Sequence, residues 1–268
     1  MIGHNSRGRT VAVIQARMSS RRLPGKVLLP LQGAPMIVRQ LERVRRAQRL
    51  DEVVVATSTD ASDDAIADAV SALGIRVIRG PLDDVLARYV RSIDETDADV
   101  LVRLTADCPL ISPMVIDQVV DAFHSSQWDY LSNTLQPTYP DGMDVEVTTA
   151  QALRRVAAES KDAAEREHVT LGIYRGTEQF SLGNFVDPDG SDQSDLRWTV
   201  DNAGDREFVQ RIYAELFPGN PNFEYSDVLN LLADQPDLQR TEMDSPRNAA
   251  LQGLDTGAMY QQGKGGVS

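Results

Sequence analysis

Four short apolar runs separated by stretches of helical periodicity constrain this chain more than any other feature. Val11–Ala16, Glu52–Thr57, Ile75–Ile78 and Val100–Thr105 are rich in Val and Ile and have the length of strands. Met36–Arg46, Asp63–Leu73 and Asp83–Thr96 lie between them with helical spacing; the first sets Ile37, Leu41 and Val44 on one face. Gly74 follows the second helix as a C-cap, and Pro113 opens a fourth that runs to Phe123, proline being harmless in a first turn. Strands alternating with such helices specify βαβ units, hence an α/β fold with a mainly parallel twisted sheet flanked by helices.

The pattern changes after Trp128. Leu131–Thr149 contains Pro137, Pro140 and Gly142 and alternates through Met143–Thr148, which indicates an antiparallel or mixed β-rich insertion. Helices are expected over Ala150–Ser160 and Ala163–Tyr174, strands over Phe180–Phe185 and Arg197–Val200, and a helix from Asp205 to Leu216. A last helix starts at Ser226 as N-cap. The expected organisation is a flexible 1–9, one domain over 10–238 with its insertion at 128–185, and a flexible Gly- and Gln-rich tail over 239–268.

The formal net charge of -13 argues against non-specific nucleic-acid or anionic-membrane partners. Cys108 is the single cysteine, so there is neither an intrachain disulfide nor a Cys-rich zinc site. No apolar run approaches the roughly 20 residues that span a bilayer. The first ten residues lack the apolar stretch of a signal peptide, and a cytoplasmic location is expected.

Against this acidic background, the segment after the first strand is basic. Arg17, Arg21, Arg22 and Lys26 crowd one loop with Ser19, Ser20 and Gly25. Fixed cations, small side chains and free backbone N–H groups at a strand's carboxyl end suit a polyphosphate. A solvated basic turn has the same composition, and the loop alone leaves both readings open. The loop lacks the Gly and Ser/Thr of a Walker A motif, and no G-x-G-x-x-G follows the strand.

Two carboxylates stand at other strand ends. Asp107 follows the fourth strand and precedes Pro109, and Asp201 ends the run Arg197–Val200. Together they could hold Mg²⁺, which favours one or two carboxylates plus phosphate oxygens and water. Equally, Asp107 could end its strand in a turn, and Asp201 could cap the helix after it. In the inserted region Asp141, Asp144, Glu146, Glu167 and His168 are polar groups suited to reading a second substrate; a lone His is more often structural.

Segment Ala16–Lys26 (ARMSSRRLPGK) closely resembles the nucleotide-binding signature of the sugar cytidylyltransferases, which include the synthetases of CMP-sialic acid and CMP-3-deoxy-manno-octulosonate. The resemblance is nearest to the branch named for spore-coat polysaccharide biosynthesis. It continues in order through Val53–Ser58, Gly80–Tyr89, Arg103–Leu110, Pro140–Glu146, Arg166–Thr170 and Arg197–Asp201, covering roughly residues 10–235. It implies a Rossmann-like nucleotidyltransferase fold whose inserted region serves dimerisation and the substrate. It also implies nucleotide contacts at Ala16, Arg17, Ser20, Arg22, Lys26, Thr57, Arg103 and Asp107. Catalytic roles would fall to Arg17, Lys26 and Asp107, and Mg²⁺ to Asp107 and Asp201. Ala106 stands where the family often has Gly, which would tighten that loop's approach to a nucleotide.

The expected reaction is cytidylyl transfer from CTP to an acidic sugar by a homodimer, with release of pyrophosphate. Three other readings stay open in the sequence: a nucleotidyltransferase using another NTP or a sugar-phosphate acceptor, a glycosyltransferase on a related fold, and a nucleotide-binding module without catalysis.

Overall fold

The structure is a computed structural model that describes residues 8–239, 247, 251 and 254–256. Its strands are β1 (Thr10–Gln15), β2 (Pro30–Leu31), β3 (Ala34–Pro35), β4 (Glu52–Ser58), β5 (Arg76–Gly80), β6 (Val100–Thr105), β7 (Tyr130–Ser132), β8 (Glu146–Thr149) and β9 (Leu182–Asn184). The helices are α1 (Met36–Val44), α2 (Asp64–Ser71), α3 (Val85–Thr96), α4 (Pro113–His124), α5 (Ala150–Glu159), α6 (Ala163–Glu167), α7 (Leu171–Arg175), α8 (Ala203–Leu216) and α9 (Tyr225–Asp234).

Seven strands form one sheet in the order β5-β4-β1-β6-β8-β7-β9, and β2 and β3 make a separate small ribbon. Pairing is parallel from β5 through β6, antiparallel on both sides of β8, and parallel again between β7 and β9. The four apolar runs are thus the parallel half, and their near-continuous hydrophobicity follows from being covered on both faces. Alternation along β1 shows it: Ala12 and Ile14 belong to the core under α1, α4, α8 and α9, while Val11 and Val13 belong to the core under α3 and α5.

From β1 the chain steps outward to β4 and β5 and then returns to β6 on the other side of β1. That reversal opens a crevice at the carboxyl ends of β1 and β6, where ligands bind in open α/β sheets. The basic loop leaves β1 there, and Asp107 leaves β6 beside it. Because β8 is antiparallel to β6, its first residue reaches the same edge, with Glu146 in register with Arg103.

Three local expectations are corrected. Arg197–Val200 is not a strand: it makes one bridge, Arg197 with Asp141, and its other amides bond to loop carbonyls of Asp141 and Asp107. The helix expected over Ala163–Tyr174 is two, α6 and α7, broken at Val169, whose φ of 50° turns Thr170 towards Glu146. The last helix starts at Tyr225; Ser226 lies inside its first turn, because Asp227 accepts the N–H of Glu224 and closes that end. Gly74 (φ 71°) and Pro113, preceded by Ser112 as N-cap, stand as the sequence indicates.

Residues 1–7 and most of 240–268 lie outside the described residues, and with them most of the two ends expected to be flexible. Among the described residues no helix is long and apolar enough to cross a membrane.

The helix cap after the site is a reciprocal pair. Asn202 Oδ1 accepts the N–H of Asp205 at 2.9 Å, and Asp205 Oδ2 accepts those of Asp201 and Asn202 at 2.8 and 2.9 Å. It fixes the backbone of Asp201 to the start of α8, so the residue expected as a possible cap is instead held by one. Asn202→Ala should cost about 1 kcal/mol, read from the shift of the urea midpoint at unchanged slope.

Candidate active site

The crevice is a cavity of about 510 Å³ walled by both sheet-edge loops and by the inserted region. At its floor, Lys26 Nζ donates to Asp107 Oδ2 at 2.9 Å, to Asp201 Oδ1 at 2.9 Å and to Val200 O at 2.7 Å. Lys26 is only 8% exposed. The chain reaches this position through Gly25, whose φ of 70° reverses the loop into the turn Lys26–Leu28. Residues from three distant parts of the sequence therefore meet at one cation.

Charge follows from that contact. Burial alone would lift the Asp107 carboxyl, but the Lys26 ammonium beside it wins and brings it to about 2. Burial likewise opposes the Lys26 charge, and the two carboxylates overcome it and raise its pKa. Asp201 has a second set of partners: Oδ2 accepts from Arg197 at 2.5 Å and lies 2.9 Å from Arg22.

Arg197 is the buried hub of the far wall. Its side chain is 4% exposed and also donates to Asp141 Oδ2 at 2.5 Å, with Asp205 at 3.5 Å. Gly142 makes this contact possible. It has φ 113°, and a Cβ there would sit 2.7 Å from the Thr199 nitrogen. Asp141 and Asp144 keep oxygens on the cavity. Burial raises both carboxyls: Asp141 to about 7, with the charge of Asp144 adding and in spite of Arg247 and Arg197, and Asp144 with the charge of Glu146 adding and in spite of Arg247.

The remaining expected residues divide. Arg17, Ser20 and Arg22 line the mouth, with Arg17 3.5 Å from Glu167 and both arginines nearly half exposed. Ala16 closes the end of β1, and Ala106, bonded through its N–H to Gln15 O, is buried against the cavity, so its methyl is accommodated. Glu167 and His168 stand on the wall formed by α6; burial lowers the His168 pKa. Glu146 lines the cavity but is already committed, to Arg103, to Tyr130 Oη at 2.7 Å and to Thr170 Oγ1 at 2.5 Å. Arg103 is correspondingly held as its partner, bonded also to Gln15.

Thr57 is not brought to the cavity. Its hydroxyl donates to Asp63 Oδ2 at 3.1 Å, because the carboxylate of Asp63 is buried against the end of β4. Asp63 also takes Ser58 Oγ at 2.5 Å and the N–H of Met18 at 2.7 Å, which ties the basic loop to β4. Sequence reading passed over Asp63 as an ordinary helix-start acid. Arg197 carries no role in the sequence, because its burial four residues before Asp201 is visible only in the structure. Nor does Arg247 carry one there; it donates to Tyr139 O at 2.8 Å and pairs with Asp144 from inside the expected flexible tail. Burial pushes the Cys108 thiol well above its usual range, which makes it a poor nucleophile.

Among the described residues there is no group of three or more His, Cys, Asp or Glu side chains placed to hold a metal. What the site offers is two carboxylates whose oxygens converge on one cation position, a donor set that fits Mg²⁺ completed by phosphate oxygens and water.

The cavity thus lies at the switch point of an α/β sheet, with a basic loop at its mouth. Over residues 11–235 the chain matches the family model described as "Cytidylyltransferase", and it belongs to that family of sugar-activating nucleotidyltransferases. It is 31% identical to the spore coat polysaccharide biosynthesis protein SpsF of Bacillus subtilis over 232 residues, 84% of this chain and 94% of that protein. It is 38% identical over 118 residues to the 3-deoxy-manno-octulosonate cytidylyltransferase of Trichlorobacter lovleyi, 42% of this chain and 44% of that one. A solved cytidylyltransferase from Leptospira borgpetersenii superposes with a TM-score of 0.83 at 30% identity, covering 90% of this chain and all of that one. The CMP:2-keto-3-deoxy-manno-octonic acid synthetase complexed with CTP gives 0.60 at 21% identity over 77% and 99%, a likeness of fold.

The raised Asp141 carboxyl has a measurable consequence. Its folded-state pKa of about 7 lies above the ordinary 3.8, so between those values the folded protein holds a proton that the unfolded chain has lost. This stabilisation is full below the unfolded value and disappears as pH rises through the folded one. Asp141→Asn should therefore flatten the fall in melting temperature between about pH 4 and pH 7 relative to the unaltered protein.

Proposed function

We propose that the enzyme transfers a cytidylyl group from CTP to a hydroxyl of an acidic sugar, with release of pyrophosphate, as an activation step for surface-polysaccharide or glycan assembly. One observation carries this reading: Lys26, Asp107 and Asp201 meet at the floor of a cavity whose mouth presents Arg17 and Arg22. Cations at the mouth suit the leaving β- and γ-phosphates, and the paired carboxylates suit a divalent cation at the reacting phosphate. The choice of CTP and of an acidic keto-sugar follows the activity printed for the octulosonate relative, and the polysaccharide role follows the printed name of the SpsF relative.

In this mechanism the acceptor oxygen attacks the α-phosphorus, an O–P bond forms, the bond to the β-phosphate oxygen breaks, and the acceptor proton passes to solvent or a nearby base. Arg17, Ser20 and Arg22 bind and orient the phosphate chain. Arg197 holds Asp201, and the Asp205 cap holds its backbone, so that its second oxygen stays aimed at the reacting centre. Asp141, Asp144, Glu167 and His168 face the space left for the acceptor, while Glu146 shapes it from behind. Asp107 and Asp201 would hold Mg²⁺, whose chemistry there is to offset charge developing on phosphate oxygens.

A glycosyltransferase reading is weaker, since the two carboxylates come from separate loops rather than from one Asp-x-Asp segment. The reading includes pairing of two copies through residues 128–185, where the sheet ends at β9. Sedimentation velocity at micromolar concentration is expected to show a dimer; a monomer removes that element of the proposal.

The assay is pyrophosphate release from CTP with Mg²⁺ across a panel of acidic and neutral sugars. Asp107→Asn and Lys26→Ala are each expected to lower turnover by about 10²–10³. Full turnover in either variant would overturn the site assignment.

A further inference from the structure

We infer that Lys26 is the resident occupant of the metal position: its ammonium holds Asp107 and Asp201 together in the free enzyme and has to leave before a divalent cation binds. The inference rests on the nucleotidyl-transfer reading in taking those two carboxylates as metal ligands. It goes beyond that reading in making metal and lysine competitors for the same oxygens.

The geometry is specific. An ammonium has three N–H donors, and all three of Lys26 are used, on Asp107 Oδ2, Asp201 Oδ1 and Val200 O. Nothing is left to reach a phosphate. A magnesium ion bound to the same two oxygens would lie about 2.1 Å from each, inside the volume that the nitrogen fills at 2.9 Å. The two cations are therefore alternatives.

The other oxygen of Asp201 is engaged by Arg197 and Arg22, so the carboxylate cannot simply rotate to serve both. Lys26 moves by its long side chain alone: its backbone stays bonded, N–H to Leu23 O and O to Leu29 N–H, and Asp107 and Asp201 are short side chains on segments fastened by Val200 N–H on Asp107 O and Asp201 N–H on Asp205.

This arrangement sets an order of events. In the free enzyme the lysine offsets the charge of two half-buried carboxylates, so metal alone gains little by displacing it. A polyphosphate entering beside Arg17 and Arg22 gives the displaced ammonium a new anion. Metal and nucleotide then enter as one event, and the carboxylates are never left bare.

The test is a titration of the full-length protein with Mn²⁺ in the absence of nucleotide, free Mn²⁺ being read by electron paramagnetic resonance. Lys26→Met is expected to bind Mn²⁺ at least about tenfold more tightly than the unaltered enzyme, because the competing cation is gone. Asp107→Asn should abolish that gain when added to Lys26→Met. Equal or weaker Mn²⁺ binding in Lys26→Met overturns the inference, as does a gain that survives Asp107→Asn. If Lys26→Met does not fold alone, Mn²⁺ is expected to restore its melting transition, and failure to restore it also overturns the inference. Pyrophosphate release by the unaltered enzyme reports separately on the transfer reading: a Mn²⁺ gain in the variant without any turnover of CTP would sink that reading and leave the competition standing.

Discussion

The ammonium of Lys26 between two carboxylates is the contact on which the rest of the site depends. It joins the loops that leave the neighbouring strands β1 and β6, paired up to Gln15 and Thr105, to the segment before α8, which belongs to no strand. Removing the lysine takes the ammonium from Asp107, while Asp201 keeps Arg197 and Arg22. The parallel sheet supplies the edge where the three loops meet, and the ion group decides how they meet there.

Around that centre the charges are arranged in pairs, each with a distinct mechanical task. Arg197 keeps Asp141 and Asp201 at a fixed separation, Asp205 holds the backbone of Asp201, and Asp63 roots the basic loop through the N–H of Met18. The arginines at the mouth remain about half exposed, Arg17 beside Glu167 and Arg22 beside Asp201. Under the proposed function, the exposed cations of the rim would attract a hydrated phosphate chain and the two carboxylates would position it.

Much of the fold was legible because the parallel half is written in local signals. Apolar runs buried on both faces, a glycine after α2 and a proline opening α4 each act within a few residues. The segment 197–200 misled for the same reason: its apolar residues are buried, but its amides are satisfied by loop carbonyls, and periodicity does not report where a hydrogen bond goes. At the site, the basic loop and the carboxylates at strand ends were visible as composition, and the resemblance carried most of their assignment. Thr57 lies away from the cavity, and Asp63 and Arg247 carry no signal of their own, because their partners lie between 5 and 108 residues away. No pattern along the chain records such pairings.

Glu146 shows how the fold restricts variation in the cavity wall. It opens β8, keeps register with Arg103, and receives the hydroxyls of Tyr130 and Thr170 from β7 and the turn before α7. Exchanging it would disturb strand alignment and helix placement together with the lining. The loop carrying Asp141 and Asp144 lines the same cavity from outside the named strands, so its shape is bound to Arg197 and Arg247 rather than to the sheet.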